Sequence, residues 1–205
     1  MNYQEAISNE IFTIIAKASK NLNVKSYVIG GFVRDYFLQR GTAKDIDIVV
    51  VGSGIELAKQ VSKLLPNKPK VQVFKTYGTA MLRFQDMEIE FVGARKESYS
   101  EDSRNPEVFE GTLEDDQNRR DFTINALALS LNEDDFGALL DPFQGMKDLE
   151  NQIIKTPLNP DITYSDDPLR MMRAIRFATQ LNFTIEADSL AAITKNAPRL
   201  EIITR

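Results

Sequence analysis

The chain of 205 residues is 42% hydrophobic and 27% charged, carries a net charge of −5, and contains neither Cys nor His. This balance predicts one or two folded domains, and the two missing residue types exclude disulfides, thiolate nucleophiles, His-based triads and HExxH metal sites, leaving carboxylates, Lys, Arg, Tyr and hard metal ions for any chemistry. No apolar run approaches the ~20 residues of a bilayer span and the first residues lack a signal peptide's apolar block, so a cytoplasmic protein with no membrane partner is expected, although its acidic balance is not the basic surplus of most nucleic-acid binders.

Ile7, Ile11, Ile14, Ile15 and Ala18 recur at helical spacing and predict an amphipathic helix that ends near Asn21-Leu22-Asn23 and packs on a sheet. Tyr27 to Ile29 reads as a strand, Gly30-Gly31 as a turn, Phe32 to Leu38 as a helix and Ile46 to Val51 as a β-branched strand. Gly52-Ser53-Gly54 opens a further helix through Leu65, after which Val71 to Phe74, Thr79 to Phe84 and Met87 to Val92 read as strands, the last two joined at Gln85-Asp86. The expected result is a mixed sheet of about five strands.

Gly93 to Asn118 is polar and aperiodic and reads as a long connection of the functional kind. A helix from Arg119 to about Leu131 is then expected, followed by a short Leu139-Leu140 strand, a turn at Asp141-Pro142 and a helix near Met146 to Asn151. Beyond Asp161 the pattern is helical throughout, so a cut between 160 and 161 is expected, and Arg199 to Arg205 carries no helix stop signal, which reads as a piece of a longer protein.

In Lys44-Asp45-Ile46-Asp47-Ile48 the strand period puts Asp45 and Asp47 on one face, their Cα atoms ~6.6 Å apart, with Ile46 and Ile48 on the other. Two carboxylates so placed can clamp a pair of metal ions ~3.5–4 Å apart, the arrangement that phosphoryl transfer uses, and hard oxygen ligands favour Mg²⁺ or Mn²⁺. Glu88 and Glu90 share a face of their strand, and Glu90 is the preferred third carboxylate. An isolated pair of this kind equally describes the solvated face of a sheet. Gly30-Gly31, between strand and helix, lets backbone approach an anion, with Arg34 able to fork onto a triphosphate and Asp35 to orient it; a plain turn with a surface ion pair is the alternative. Gly52-Ser53-Gly54 is a rival phosphate loop of the dinucleotide type, spoiled by Leu57 at the third glycine position.

Taken in order, Gly30-Gly31-Phe32-Val33-Arg34-Asp35, Lys44-Asp45-Ile46-Asp47, Glu90-Phe91, Arg119-Arg120-Asp121-Phe122-Thr123-Ile124-Asn125-Ala126, Asp141-Pro142-Phe143-Gln144-Gly145 and Asp166-Asp167-Pro168-Leu169-Arg170 resemble the class II tRNA nucleotidyltransferase and bacterial poly(A) polymerase family, over about Tyr27 to Phe183. The resemblance implies an α+β, polymerase-β-like nucleotidyltransferase head at 1–160, followed from 161 by the start of an all-α neck. It implies transfer of CMP and AMP from CTP and ATP to the 3′ end of tRNA, with Asp45 and Asp47 holding metal and Glu90 assisting. A poly(A) polymerase, a partial CC- or A-adding enzyme, or a non-catalytic nucleotide- or RNA-binding domain are the alternatives, and no DNA partner is expected. Arg120, Asp121 and Asn125 are implied in the sugar pocket, and Asp141 in positioning mobile elements, a simple Asp-Pro turn being its alternative. Asp167 and Arg170 are implied as the pair that reads the incoming base: at i and i+3 they share a helix face, where carboxylate and guanidinium suit the amine and neighbouring acceptor of cytosine and adenine. The family usually has Glu where Asp166 stands. Arg173 and Arg176 either meet triphosphate or RNA or form a solvated basic face.

Overall fold

The computed structural model describes residues 2–41, 44–100 and 103–203. In chain order the strands and helices are α1 (Glu10–Leu22), β1 (Lys25–Ile29), α2 (Gly31–Phe37), β2 (Asp45–Val51), α3 (Gly54–Leu64), β3 (Gln72–Phe74), β4 (Thr79–Phe84), β5 (Met87–Gly93), β6 (Arg95–Ser100), β7 (Ser103–Glu110), α4 (Leu113–Asn118), β8 (Ala128–Ser130), β9 (Leu139–Leu140), α5 (Gly145–Glu150), β10 (Ile153–Ile154), α6 (Pro160–Asp166), α7 (Leu169–Leu181), β11 (Thr184–Ile185) and α8 (Ala187–Asn196). The chain forms two compact units, one of Met1–Ala94, Glu110–Leu113 and Leu127–Leu140, the other of Arg95–Phe109, Glu114–Ala126 and Asp141–Arg205. They interleave along the sequence, in contrast to the single cut expected between 160 and 161.

The first unit is built on a seven-stranded sheet ordered β3-β4-β5-β2-β1-β8-β9. All neighbours are antiparallel except β2 and β5, which run parallel because α3 carries the chain back to the starting edge. Strand alternation gives the sheet two unlike faces. Ile46, Ile48, Ala80, Leu82, Ile89 and Phe91 on one face are at most 1% exposed. The opposite face carries a buried apolar cluster of Tyr27, Ile29, Val49, Ala94, Leu113 and Ala128, with Leu140 packed against them. The ends of α1 follow from its residues: the Asn9 side chain accepts from Ile11 N at the start, and Asn23 adopts the left-handed conformation that terminates it.

The sheet is wider than the five strands expected, because β8 and β9 extend it beyond β1. Residues 119–131 are not a helix: a single 3-10 turn at Thr123–Asn125 is followed by β8, whose Ala128, Leu129 and Ser130 pair with β1. Phe122, Ala126 and Leu129 are spaced as on a helix, but each is buried in a different local setting, and ladder bonds to β1 outweigh the pattern. The polar stretch 93–118 is likewise more regular than expected. β6 and β7 form a two-stranded sheet and α4 follows, while residues 101–102 lie outside the described residues.

The second unit is mainly helical, as expected beyond 161, yet it includes a parallel pair in which Ile153 and Ile154 of β10 lie opposite Thr184 and Ile185 of β11. Its core contains Phe122, Ile124, Ile154, Tyr164, Met171 and Ala174, all at most 1% exposed, with Phe122 edge-on to Phe177 at 5.7 Å. Residues 197–202 form a 3-10 helix, and the last two residues of the 199–205 segment lie outside the described residues.

Candidate active site

In the first unit the register places the acidic side chains. Parallel pairing sets Asp45 opposite Glu88 and Asp47 opposite Glu90, all four on the face left open by the second apolar cluster. Antiparallel pairing sets Ile29 opposite Asp47, so the turn that follows Ile29 begins beside that carboxylate. Gly30 has φ +84°, a left-handed value that a Cβ would strain, and its backbone N–H donates to Leu127 O at 3.1 Å. The Arg34 guanidinium folds back over the turn, where a Cβ on Gly31 would lie 3.7 Å from its terminal nitrogen. Arg34 Nε and a terminal nitrogen donate to Asp35 Oδ1 and Oδ2, each at 2.9 Å. Asp35 thus orients the fork and holds it over the glycines.

Glu88 and Glu90 differ in their partners. Arg83, directly opposite Glu88 on β4, pairs with it, whereas Glu90 faces Met81 and has no hydrogen bond or ion pair among the described residues. That contrast supports Glu90 as the third carboxylate. Among the described residues no three acidic side chains converge closely enough to make a ready metal site. The residue types nevertheless fit a hard cation: Asp45, Asp47 and Glu90 are oxygen donors on two hydrogen-bonded strands ~4.8 Å apart, and side-chain rotation alone changes their spacing.

In the second unit, three connected clusters hold the remaining residues. Asp116 is fully buried and accepts from Arg119 Nε at 3.0 Å and from Arg120 Nε at 3.2 Å and its terminal nitrogen at 3.1 Å. The carboxylate fixes both arginines, and Arg120 also donates to Asn125 O at 3.4 Å. Asp121 links the next group: it accepts from Phe122 N at 2.8 Å, Asn125 Nδ2 at 3.0 Å and Arg173 Nε at 2.7 Å. Arg120, Asp121, Asn125 and Arg173 are therefore brought together. Arg176 is not: it is exposed, stacks on Phe177 and donates to Gln180 at 3.4 Å, which is the solvated-face alternative.

Asp167 and Arg170 require a correction. They do not share one helix. α6 ends at Asp166, Asp167 is extended (φ −133°, ψ 99°), and α7 begins after Pro168. Proline disfavours helical backbone in the residue before it, which breaks the helix there. Asp167 instead caps α7, its Oδ1 accepting from Leu169 N at 3.2 Å, while Arg170 N donates to Asp167 O at 3.0 Å. The two side chains still start one turn apart at the same helix end. Arg170 is 8% exposed; its terminal nitrogens donate to Thr163 O at 3.4 Å and Tyr99 Oη at 3.2 Å, and the guanidinium stacks 5.7 Å from the Tyr99 ring centre.

Glu97 and Tyr99 of β6 were missed by the sequence reading. The Glu97 carboxylate, 4% exposed, faces Arg95 at 2.9 Å, Arg119 at 3.4 Å and Arg170 at 3.9 Å, and accepts from Tyr99 Oη at 2.6 Å. Burial raises the Tyr99 pKa, so its hydroxyl stays a donor. Glu97, Tyr99, Arg119 and Arg170, with Asp166 and Thr163, line a cavity of about 240 Å³. Asp141 accepts from Gly145 N at 2.6 Å and Met146 N at 3.0 Å, capping α5 in the manner of the turn alternative.

The Poly A polymerase head domain profile matches residues 26–155. The chain belongs to that family. An A-adding tRNA nucleotidyltransferase of Aquifex aeolicus is 39% identical over 180 residues, 88% of this chain and 21% of its own length. A CCA-adding enzyme of Enterococcus faecalis is 39% identical over 203 residues, 97% of this chain and 47% of its own. A solved CCA-adding enzyme with CTP superposes with a TM-score of 0.84 at 32% identity, covering 100% of this chain and 47% of that one. The chain thus spans about half or less of the relatives it matches. Poly A polymerase head domains belong to nucleotidyltransferases that use divalent metal ions, and no helix here is long and apolar enough to cross a membrane.

Proposed function

We propose that this chain carries the nucleotidyl-transfer chemistry of a cytoplasmic enzyme that adds CMP and AMP, from CTP and ATP, to the 3′ end of tRNA. The observation that carries the reading is the register that sets Asp47 opposite Glu90, with Asp45 on the same face and the Gly30-Gly31 turn beginning at the adjoining strand end. The names of the relatives support the choice of substrate.

In this reading Asp45 and Asp47 hold the metal, with Glu90 as the third carboxylate, and hard oxygen ligands select Mg²⁺, with Mn²⁺ as a substitute. Bound there, such ions lower the pKa of the RNA 3′ hydroxyl and neutralise charge on the leaving group. The bond from the 3′ oxygen to the α-phosphorus forms as the bond to the β-phosphate oxygen breaks; pyrophosphate leaves and the hydroxyl proton passes to solvent. Arg34, preset by Asp35, grips the triphosphate over the two glycines. Arg120, Asp121 and Asn125 supply donors and acceptors for the ribose, with Arg173 held by Asp121. Asp167 accepts from the amine of cytosine or adenine while Arg170 donates to the ring acceptor beside it. Division of the chain into a head at 1–160 and the start of a neck beyond it belongs to the same proposal.

A second reading, addition of AMP alone, is favoured by the Aquifex relative, which matches as closely as the CCA-adding one. Labelled NTP incorporation onto tRNA lacking its 3′ CCA and onto tRNA already ending in CC, by the full chain and by an Asp45→Ala/Asp47→Ala double variant, decides between them. CMP followed by AMP, lost in the variant, is the expected result. AMP alone moves the assignment to the second reading, and incorporation that survives the double substitution sinks the catalytic one.

A further inference from the structure

From 57 to 85 the sequence carries six cations, Lys59, Lys63, Lys68, Lys70, Lys75 and Arg83, and no acid, in a chain whose net charge is −5. Lys59 pairs with Glu56 and Arg83 with Glu88. Lys68, Lys70 and Lys75 flank β3, are exposed, and have no acidic partner among the described residues. β3 is the edge strand of the sheet. Its Gln72 and Phe74 lie opposite Met81 and Thr79, and Met81 lies opposite Glu90, so Gln72 and Phe74 share the face of the three carboxylates, Gln72 about 10 Å from Glu90 across β4.

Lysines beside an edge strand are a common guard against unwanted strand pairing. That role needs no aromatic residue, yet Phe74 is 43% and Tyr77 72% exposed beside them. Two aromatic rings left in water among unpaired cations match what an unpaired RNA strand offers, which is phosphates and the flat faces of unstacked bases. Charge decides the partner: this run of unopposed positive charge flanks the edge of the sheet face that also carries the carboxylates. We propose that the β3 edge binds the RNA strand leading into its 3′ end, with Lys70 and Lys75 on phosphates and Phe74 and Tyr77 stacking bases. The proposal rests on the nucleotidyl-transfer reading for its substrate.

The test measures fluorescence anisotropy of labelled tRNA lacking CCA on the full chain over a salt series, for wild type, a Lys70→Glu/Lys75→Glu variant and a Phe74→Ala/Tyr77→Ala variant, with melting curves to confirm folding. KM and kcat for CTP and ATP are read on the same proteins. The lysine variant should bind RNA about tenfold more weakly and lower the slope of log affinity against log salt by ~1.4, two phosphates at ~0.7 each. The aromatic variant should also lose about tenfold in affinity, with the slope kept. KM for both nucleotides and kcat at saturating RNA should stay at the wild-type level. Wild-type RNA affinity in both variants, or an effect seen in nucleotide KM alone, overturns the proposal. If wild type incorporates no nucleotide while the variants still lose RNA, the transfer reading fails and the surface stands; if incorporation is normal and RNA binding is unchanged in the variants, the transfer reading stands and the surface fails.

Discussion

Asp166 is half-buried at the end of α6, and burial raises its pKa; Arg170 and Arg199 pull it back and the Glu97 charge adds to the rise. An acid whose folded pKa lies above its unfolded one favours the folded state most where it is protonated. Its contribution is fully present below the ordinary carboxylate value of 3.8 and is lost as pH climbs through the raised folded value. Asp166→Asn removes the titration. Urea midpoints measured across this acidic range should therefore show wild type losing ground to the variant as pH rises, and parallel profiles would refute this account of Asp166. At this scale much of the candidate site was legible. Asp45, Asp47 and Glu90 follow from alternation, because a strand's period of two needs no tertiary information. Glu97 was not legible: its role depends on Arg95, Arg119 and Arg170 meeting one buried carboxylate, and no local pattern encodes a meeting of residues so far apart in sequence. The Asp167 break was legible in principle, since Pro168 stood in plain view.

Among the elements, α3 shows how a glycine that resembles a phosphate loop can have a packing reason. A Cβ on Gly54 would lie 2.6 Å from Phe91 O and 2.8 Å from Phe91 C, both backbone atoms of β5 that cannot swing aside. Leu57, one turn on, is fully buried, and Ser53 caps the helix by accepting from Glu56 N at 3.3 Å. Gly54→Ala sets two effects against each other. Alanine favours a helix by up to about 1 kcal/mol over glycine, while forced overpacking costs about 1–3 kcal/mol. With backbone on the far side of the contact the clash dominates, and Tm should fall by several degrees at about 2–4 °C per kcal/mol. A Tm equal to or above wild type in a calorimetric scan would show that α3 moves away freely. Long, strongly patterned elements such as α1, β2, β4 and β5 were readable because each buries one face. β8 was misread because a three-residue strand carries too few alternations to compete with an accidental helical spacing, and its identity comes from β1. The β6 and β7 ribbon is polar, and its order comes from pairing.

Across the molecule, the chain passes from one compact unit to the other at 94/95, 109/110, 113/114, 126/127 and 140/141. The expected head and neck division survives as a proposal about family organisation, but folding imposes another boundary. A fragment of residues 1–160 would keep β10 without β11, and Phe122 without Phe177. It should melt with reduced cooperativity and bind a hydrophobic dye that the intact chain excludes; a sharp two-state transition without dye binding would count against interdependence within the second unit. Composition disclosed none of this interleaving, because five crossings leave no linker-like stretch to mark them.

The interior place of β1 in the sheet also bears on synthesis. One side of β1 pairs with β2, made soon after it, but the other waits for β8, about one hundred residues further on. At ~5–20 residues per second a ribosome needs several to twenty seconds to supply that partner. During that interval the nascent chain holds a strand ending in Tyr27, Val28 and Ile29 with one row of N–H and C=O groups open to any other extended segment. Slow codons or a pause between 30 and 128 would lengthen the exposure, so the yield of soluble protein should depend on translation speed through that window more than on speed anywhere after it.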